Sequence, residues 1–197
     1  FQDFRVIVSD NLSEPTNVGE VRDYVRNLAD PRITYVLQPV DGQEYGQGRF
    51  LFGECAEPYF MILHDDDLLE PDHLQYAVTT LARESDVALF GTGQYLIDET
   101  GRQMPEKTRE YNRENKRDQA PEGRMTNLLD YVMGRGIFSI SGAVFRTSAV
   151  RANGLVDADC EGLFPFEFNV FLRQAEHGAI AYYTRRELVA YRFHGGR

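Results

Sequence analysis

Short apolar, β-prone runs alternate with segments of helical periodicity through the first half of the chain, and that rhythm leaves few folds open to it. Phe4-Arg5-Val6-Ile7-Val8 reads as a strand that Ser9-Asp10-Asn11 ends with turn-forming residues. Val18, Val21, Val25 and Leu28 then recur on one helical face, with Thr16 or Asn17 as the cap and Asp30-Pro31 as the stop. A second strand follows at 33–37, a Gly-bearing loop at 41–48, a helix at 49–56 and a third strand at 59–63. Leu74, Ala77, Val78 and Leu81 mark a helix opening near Pro71, where a proline forfeits no hydrogen bond. Further strands are expected at 87–90 and 94–97. Strand and helix in alternation imply an α/β fold, with a mostly parallel central sheet and helices on both faces.

The pattern lapses between 98 and 124, where Glu, Lys, Arg, Asn and Gln crowd around Pro105 and Pro121. So polar a segment has little to bury and is expected to form a mobile loop. Periodicity resumes with Met125, Leu128, Leu129 and Val132 on a helix closed by Gly134 or Gly136. A strand over 138–145 leads to Arg146, and a short helix over 148–152 stops at Asn153-Gly154. Phe168, Phe171, Leu172 and Ala175 have the spacing of a buried helical face. Two late strands, 179–184 and 188–193, run into His194-Gly195-Gly196-Arg197. A chain of 197 residues suits a single domain, with 1–97 and 125–197 as its halves and 98–124 between them.

Acidic residues number 31 against 21 basic, for a net charge of −10, which argues against a nucleic-acid surface. A nucleotide ligand stays open, because a divalent cation bridges carboxylates to phosphates. Cys55 and Cys160 are too far apart for a metal knuckle, and Cys55 reads as a small buried residue of the 49–56 helix. So few cysteines fit a reducing, cytoplasmic setting. No apolar run approaches the roughly 18 residues that cross a bilayer.

Asp65-Asp66-Asp67, at the end of the apolar run Tyr59-Phe60-Met61-Ile62-Leu63, is the most chemically pointed feature. Adjacent carboxylates repel one another unless a cation or strong donors sit among them. Where a buried strand runs out, they reach the edge at which open α/β sheets bind ligands. Hard oxygen ligands of this kind suit Mg²⁺ or Mn²⁺ in company with substrate phosphates. The competing reading is a solvated acidic turn that favours the start of the next helix.

Several segments, taken in order, resemble family 2 glycosyltransferases of the GT-A fold. The segment from Phe1 to Asn11 resembles the family's entry to its second strand, and Ile62-Leu63-His64-Asp65-Asp66-Asp67 its DXD-type metal motif. Ser139 to Gly154 is similar to its acceptor-side strand and helix. Phe166-Glu167, followed by Phe171-Leu172-Arg173-Gln174-Ala175-Glu176-His177-Gly178, resembles the helix that carries its catalytic carboxylate. Tyr191-Arg192-Phe193-His194 is similar to its closing strand and histidine. The family's first strand would lie upstream of Phe1. Asn11 stands where the family often has an aspartate, and Phe166 where it often has a glutamate.

The resemblance implies a Rossmann-like nucleotide-binding half, an acceptor half, and metal-dependent, inverting transfer of a sugar from a nucleotide-diphosphate sugar to a hydroxyl acceptor. That acceptor is a glycan, a lipid-linked group or a small molecule, and UDP or dTDP is the favoured donor nucleotide. Mn²⁺ or Mg²⁺ would be held by Asp66, Asp67 and His194, with His64 as an outer donor. Asp10, Asn11, Asp65 and Arg192 would bind the donor, and Arg197 would help to neutralise its diphosphate. Glu167 would be the general base, with Asp157, Asp159 and Glu161 as fallbacks. The setting implied is cytoplasmic, including the cytoplasmic face of a membrane. The rival readings are a GT-A-like module that binds a nucleotide or glycan without turnover and a sugar nucleotidyltransferase. The latter usually has a Gly-rich basic loop, and none is convincing here.

Overall fold

The computed structural model describes residues 1–134 and 136–194. The chain divides into two compact units, Phe1–Cys55 and Ala56–Arg197.

In the first unit β1 (Val6–Asp10) and β2 (Ile33–Leu37) pair in parallel, Val6 opposite Ile33. They are joined by α1 (Pro15–Leu28). Thr16 and Asn17 lie inside that helix and do not cap it, because Pro15 already occupies its first turn, for which its fixed φ is suited. The apolar stripe is only partly covered, with Val18 and Val25 half-buried and Val21 and Leu28 exposed. α2 (Gln43–Gly53) starts within the stretch that reads as a loop and ends before Cys55, which is buried just beyond it. Each helical glycine costs about 1 kcal/mol relative to alanine. Against that, Gln47 accepts a bond from Ser9 Oγ (2.9 Å) and donates to the Ser9 carbonyl (3.1 Å), which ties the helix to β1.

The second unit is built on a mixed sheet. Its elements are β3 (Tyr59–Met61), β4 (Leu68–Leu69), α3 (His73–Arg83), β5 (Val87–Ile97), α4 (Pro105–Glu114), β6 (Gly123–Met125), α5 (Leu128–Gly134), β7 (Val144–Arg146), α6 (Thr147–Asn153), α7 (Phe166–Glu176) and β8 (Ile180–Arg192). The strand order is β3-β7-β5-β8-β4, with β6 also on β8. The long β5–β8 ladder is parallel, and the short strands β3, β4, β6 and β7 join antiparallel. Successive strand residues face opposite ways. Val144 belongs to a core cluster with Ala77 and Leu81 of α3, and its neighbour Phe145 stacks on Phe171 of α7 at 5.8 Å. Helices therefore cover both faces.

Four sequence expectations are corrected here. The strands at 87–90 and 94–97 are one strand, β5, continuous through Gly91 and Gly93. These glycines mark close approach: a Cβ at Gly91 would lie 2.6 Å from the Phe138 ring, and one at Gly93 2.8 Å from the Arg185 carbonyl. The two late strands are likewise one, β8, with a register shift opposite Gly93. The strand at 138–145 shrinks to β7, because Gly142 turns the chain at φ 92° and its missing Cβ leaves room for Val189. The segment 98–124 is not an irregular loop. It forms α4 and β6, pinned by Thr108 Oγ1, which accepts from Leu96 N and donates to the Met104 carbonyl (2.9 Å each), and by the buried Ala120 and Arg117.

Arg146 ends β7 and grips the end of α3. Its guanidinium donates to the carbonyls of Leu81 (2.6 Å), Glu84 (3.0 Å) and Val87 (2.9 Å). Charged hydrogen bonds of this kind contribute about 1.5–3 kcal/mol. Arg146→Leu is expected to lower stability by roughly 2–4 kcal/mol, read as a fall in the urea midpoint at constant m value. An unchanged midpoint would show that the three bonds contribute nothing net. No helix among the described residues is long and apolar enough to cross a membrane.

Candidate functional site

The acidic loop leaves the edge strand β3 and is clamped on both sides. Ile62 bridges to Ser141, whose Oγ accepts from the His64 amide at 3.1 Å. Beyond the aspartates, Leu68 in β4 pairs with Ala190 in β8. Asp67 is almost fully buried, and its Oδ1 accepts from the Arg192 amide at 2.9 Å. The Arg192 side chain donates to the carbonyls of Asp66 (2.8 Å), Asp98 (2.8 Å) and Glu99 (3.2 Å). Arg192 thus holds the loop through backbone contacts. Asp65 is exposed at the apex.

This clamp gathers His64, Asp66 and Asp67 so that one ligand atom from each lies within 4.8 Å of the others. His194 Nε2 meets Asp66 Oδ2 at 2.8 Å, so the closing histidine reaches the group through Asp66. His64 Nε2 lies 3.2 Å from Glu167 Oε1. The Asp67 Oδ2 atom is buried and has no hydrogen-bond partner among the described residues. A buried carboxylate oxygen left unpaired is costly. That orphaned atom, with a second carboxylate and an imidazole beside it, fits the donor set of a divalent cation. The structure promotes His64 from an outer donor to a member of the group. Nothing in the sequence beyond its adjacency to the aspartates signals this. Arg197 and the two glycines before it lie outside the described residues.

Glu167 sits in the first turn of α7, after Pro165 as the N-terminal flank. It borders a pocket of about 380 Å³ formed with Val132, Gly136, Phe138, Pro165, Phe168 and Phe171. Of the fallback carboxylates, Asp157 is engaged in its own turn, accepting from the Asp159 amide at 2.8 Å, and Asp159 and Glu161 are exposed. Beneath the pocket lies Arg117, which sequence reasoning passed over as one more charge in a polar stretch. It is buried, stacks over Tyr111 and donates to the Gly136 carbonyl at 2.8 Å. Burial pushes its pKa down, opposed by Tyr111, Tyr183, Tyr191 and Glu167.

Asp10 and Asn11 belong to the first unit. Asp10 Oδ1 accepts from the Ser13 amide and Oδ2 from the Tyr35 hydroxyl, both at 2.8 Å. Burial raises the Asp10 pKa, but these bonds outweigh it and hold the carboxyl below its usual range. Asn11 donates to Asp41 (2.7 Å) and accepts from the Gly42 amide (2.9 Å), fastening the end of β1 to the start of α2.

The fold, with an acidic loop at the edge of its central sheet, is that of a GT-A glycosyltransferase. The chain belongs to glycosyl transferase family 2, whose family model matches residues 1–144. A solved structure of S. aureus TarS, residues 1–349, is similar over 96% of this chain at a TM-score of 0.66 and 15% identity. The chain spans about half (51%) of that structure's length. No curated protein sequence matches it.

Proposed function

We propose that the protein transfers a sugar, with inversion and dependence on a divalent cation, from a nucleotide-diphosphate sugar to a hydroxyl acceptor. The observation that carries this reading is the 3.2 Å approach of Glu167 to His64, which puts a proton-accepting carboxylate against the cation-binding group. Mn²⁺ or Mg²⁺, held by Asp66, Asp67 and His64, would supply Lewis-acid stabilisation of the departing diphosphate. His194 orients Asp66, and Arg192 keeps the loop in place. Glu167 takes the acceptor hydroxyl proton as its oxygen bonds to the anomeric carbon and the bond from that carbon to the diphosphate oxygen breaks. Exposed Asp65 is a candidate for contact with the donor ribose. Asp10, whose oxygens keep unused lone pairs, is the candidate acceptor for the imide N–H of uracil or thymine. A cytoplasmic setting, including the cytoplasmic face of a membrane, belongs to the same proposal and is in keeping with the free thiols of Cys55 and Cys160.

Thermal unfolding tests the reading. UDP with Mn²⁺ at about a hundredfold over Kd adds about 2.7 kcal/mol to the folded state. For a chain of this size that raises the melting temperature by roughly 5–10 °C, and either component alone should do far less. No shift with UDP or dTDP, in the presence of Mn²⁺ or Mg²⁺ at millimolar concentration, would overturn it.

A further inference from the structure

The wall beside Glu167 is apolar almost throughout. Val132, Phe138, Pro165, Phe168 and Phe171 line it, and among the described lining residues Glu167 alone has a charged or hydrogen-bonding side chain. The Gly136 carbonyl accepts from Arg117 at 2.8 Å. Phe164, 41% exposed, packs its ring 5.1 Å from that of Phe168, and the sequence neighbours Leu163 (of Phe164, 73%) and Met133 (of Val132, 63%) are exposed too. Exposed apolar groups beside a concave site mark a ligand surface.

A sugar acceptor seated here would turn several hydroxyls toward a wall whose described side chains are apolar apart from Glu167. Each hydroxyl stripped of water without a partner costs about 1–3 kcal/mol. An aromatic body loses nothing of that kind and gains stacking against the phenylalanines. A cavity of about 150 Å³ accommodates benzene, so 380 Å³ has room for about two rings.

Resting on the reading of Glu167 as the base, we propose that the acceptor hydroxyl is carried on an aromatic body of one or two rings, seated between Phe138, Phe168 and Val132 with its oxygen toward Glu167. The protein would then glycosylate aryl alcohols in preference to sugars.

Calorimetric titration of 2-naphthol and of methyl β-glucopyranoside, without donor or metal, tests this. Naphthol should bind saturably at one site, and the glucoside at the same concentration should not. Phe168→Ala removes a stacking face, and Val132→Glu sets a charge in the wall. Each should weaken naphthol at least about tenfold, about 1.4 kcal/mol, in protein that melts cooperatively. Val132 is a half-buried helix residue, so its variant serves where Phe168→Ala does not fold. Saturable glucoside binding without naphthol binding overturns the aromatic acceptor and leaves glycosyl transfer intact, as does naphthol binding that ignores both substitutions. Failure of the nucleotide and Mn²⁺ stabilisation experiment instead overturns the transfer reading, independently of the naphthol result.

Discussion

Glu167→Gln lowers turnover by roughly 10²–10⁴-fold, the contribution of a positioned general base, with little change in melting temperature. The amide keeps the size of the side chain and a hydrogen-bonding atom toward His64, which lies 3.2 Å from the carboxylate. It loses the ability to hold the acceptor's proton. Stabilisation by UDP and Mn²⁺ should survive in the variant, because the atoms proposed to hold the cation are those of His64, Asp66 and Asp67. An acceptor with a more acidic hydroxyl should suffer a smaller loss, since its oxygen needs less help to shed the proton. Turnover is read with whichever nucleotide sugar gives the largest Mn²⁺-dependent melting shift. Full turnover accompanied only by a melting shift would make Glu167 a structural residue and send the search for the base to Asp159 and Glu161.

Asp66→Ala and Asp67→Asn each weaken Mn²⁺ binding at least about a hundredfold, beyond the 10–100-fold typical of losing a group that only orients a ligand. The two substitutions differ in what else they disturb. Asp67 also accepts the Arg192 amide at 2.9 Å, so asparagine is chosen there: its carbonyl oxygen can take the same bond while the charge is lost. The Asp66 backbone carbonyl accepts from the Arg192 guanidinium, a bond that alanine retains. Removing either charge relieves repulsion within the loop, so the cation-free protein should melt no lower. His194→Ala, which acts through Asp66 Oδ2, should fall in the 10–100-fold range. Titration of Mn²⁺ into each variant gives the comparison, and wild-type affinity in both aspartate variants would dismiss the cation assignment.

Residues close in sequence determined much of this protein on their own. Apolar spacing and turn residues located β1, β2, α6 and α7, because a strand end or a helix face is set by side chains within a few positions of one another. The same local logic put Asp65-Asp66-Asp67 at the end of a strand and Glu167 in the first turn of a helix. Tertiary structure decided what those residues meet. Gly91 and Gly93 read locally as breaks, yet they carry one strand past Phe138 and the Arg185 carbonyl, contacts set by chain far away. The polar 98–124 stretch becomes α4 and β6 because Thr108 and Arg117 find backbone partners in Leu96 and Gly136. Arg192 looks like a free cation in sequence, but the parallel β5–β8 ladder delivers it to the carbonyls of Asp66, Asp98 and Glu99. His64 joins the candidate cation group because β8 and Ser141 clamp the acidic loop from opposite sides. Pairings between residues from a dozen to more than a hundred positions apart leave no periodicity in the chain, so only the folded structure places them.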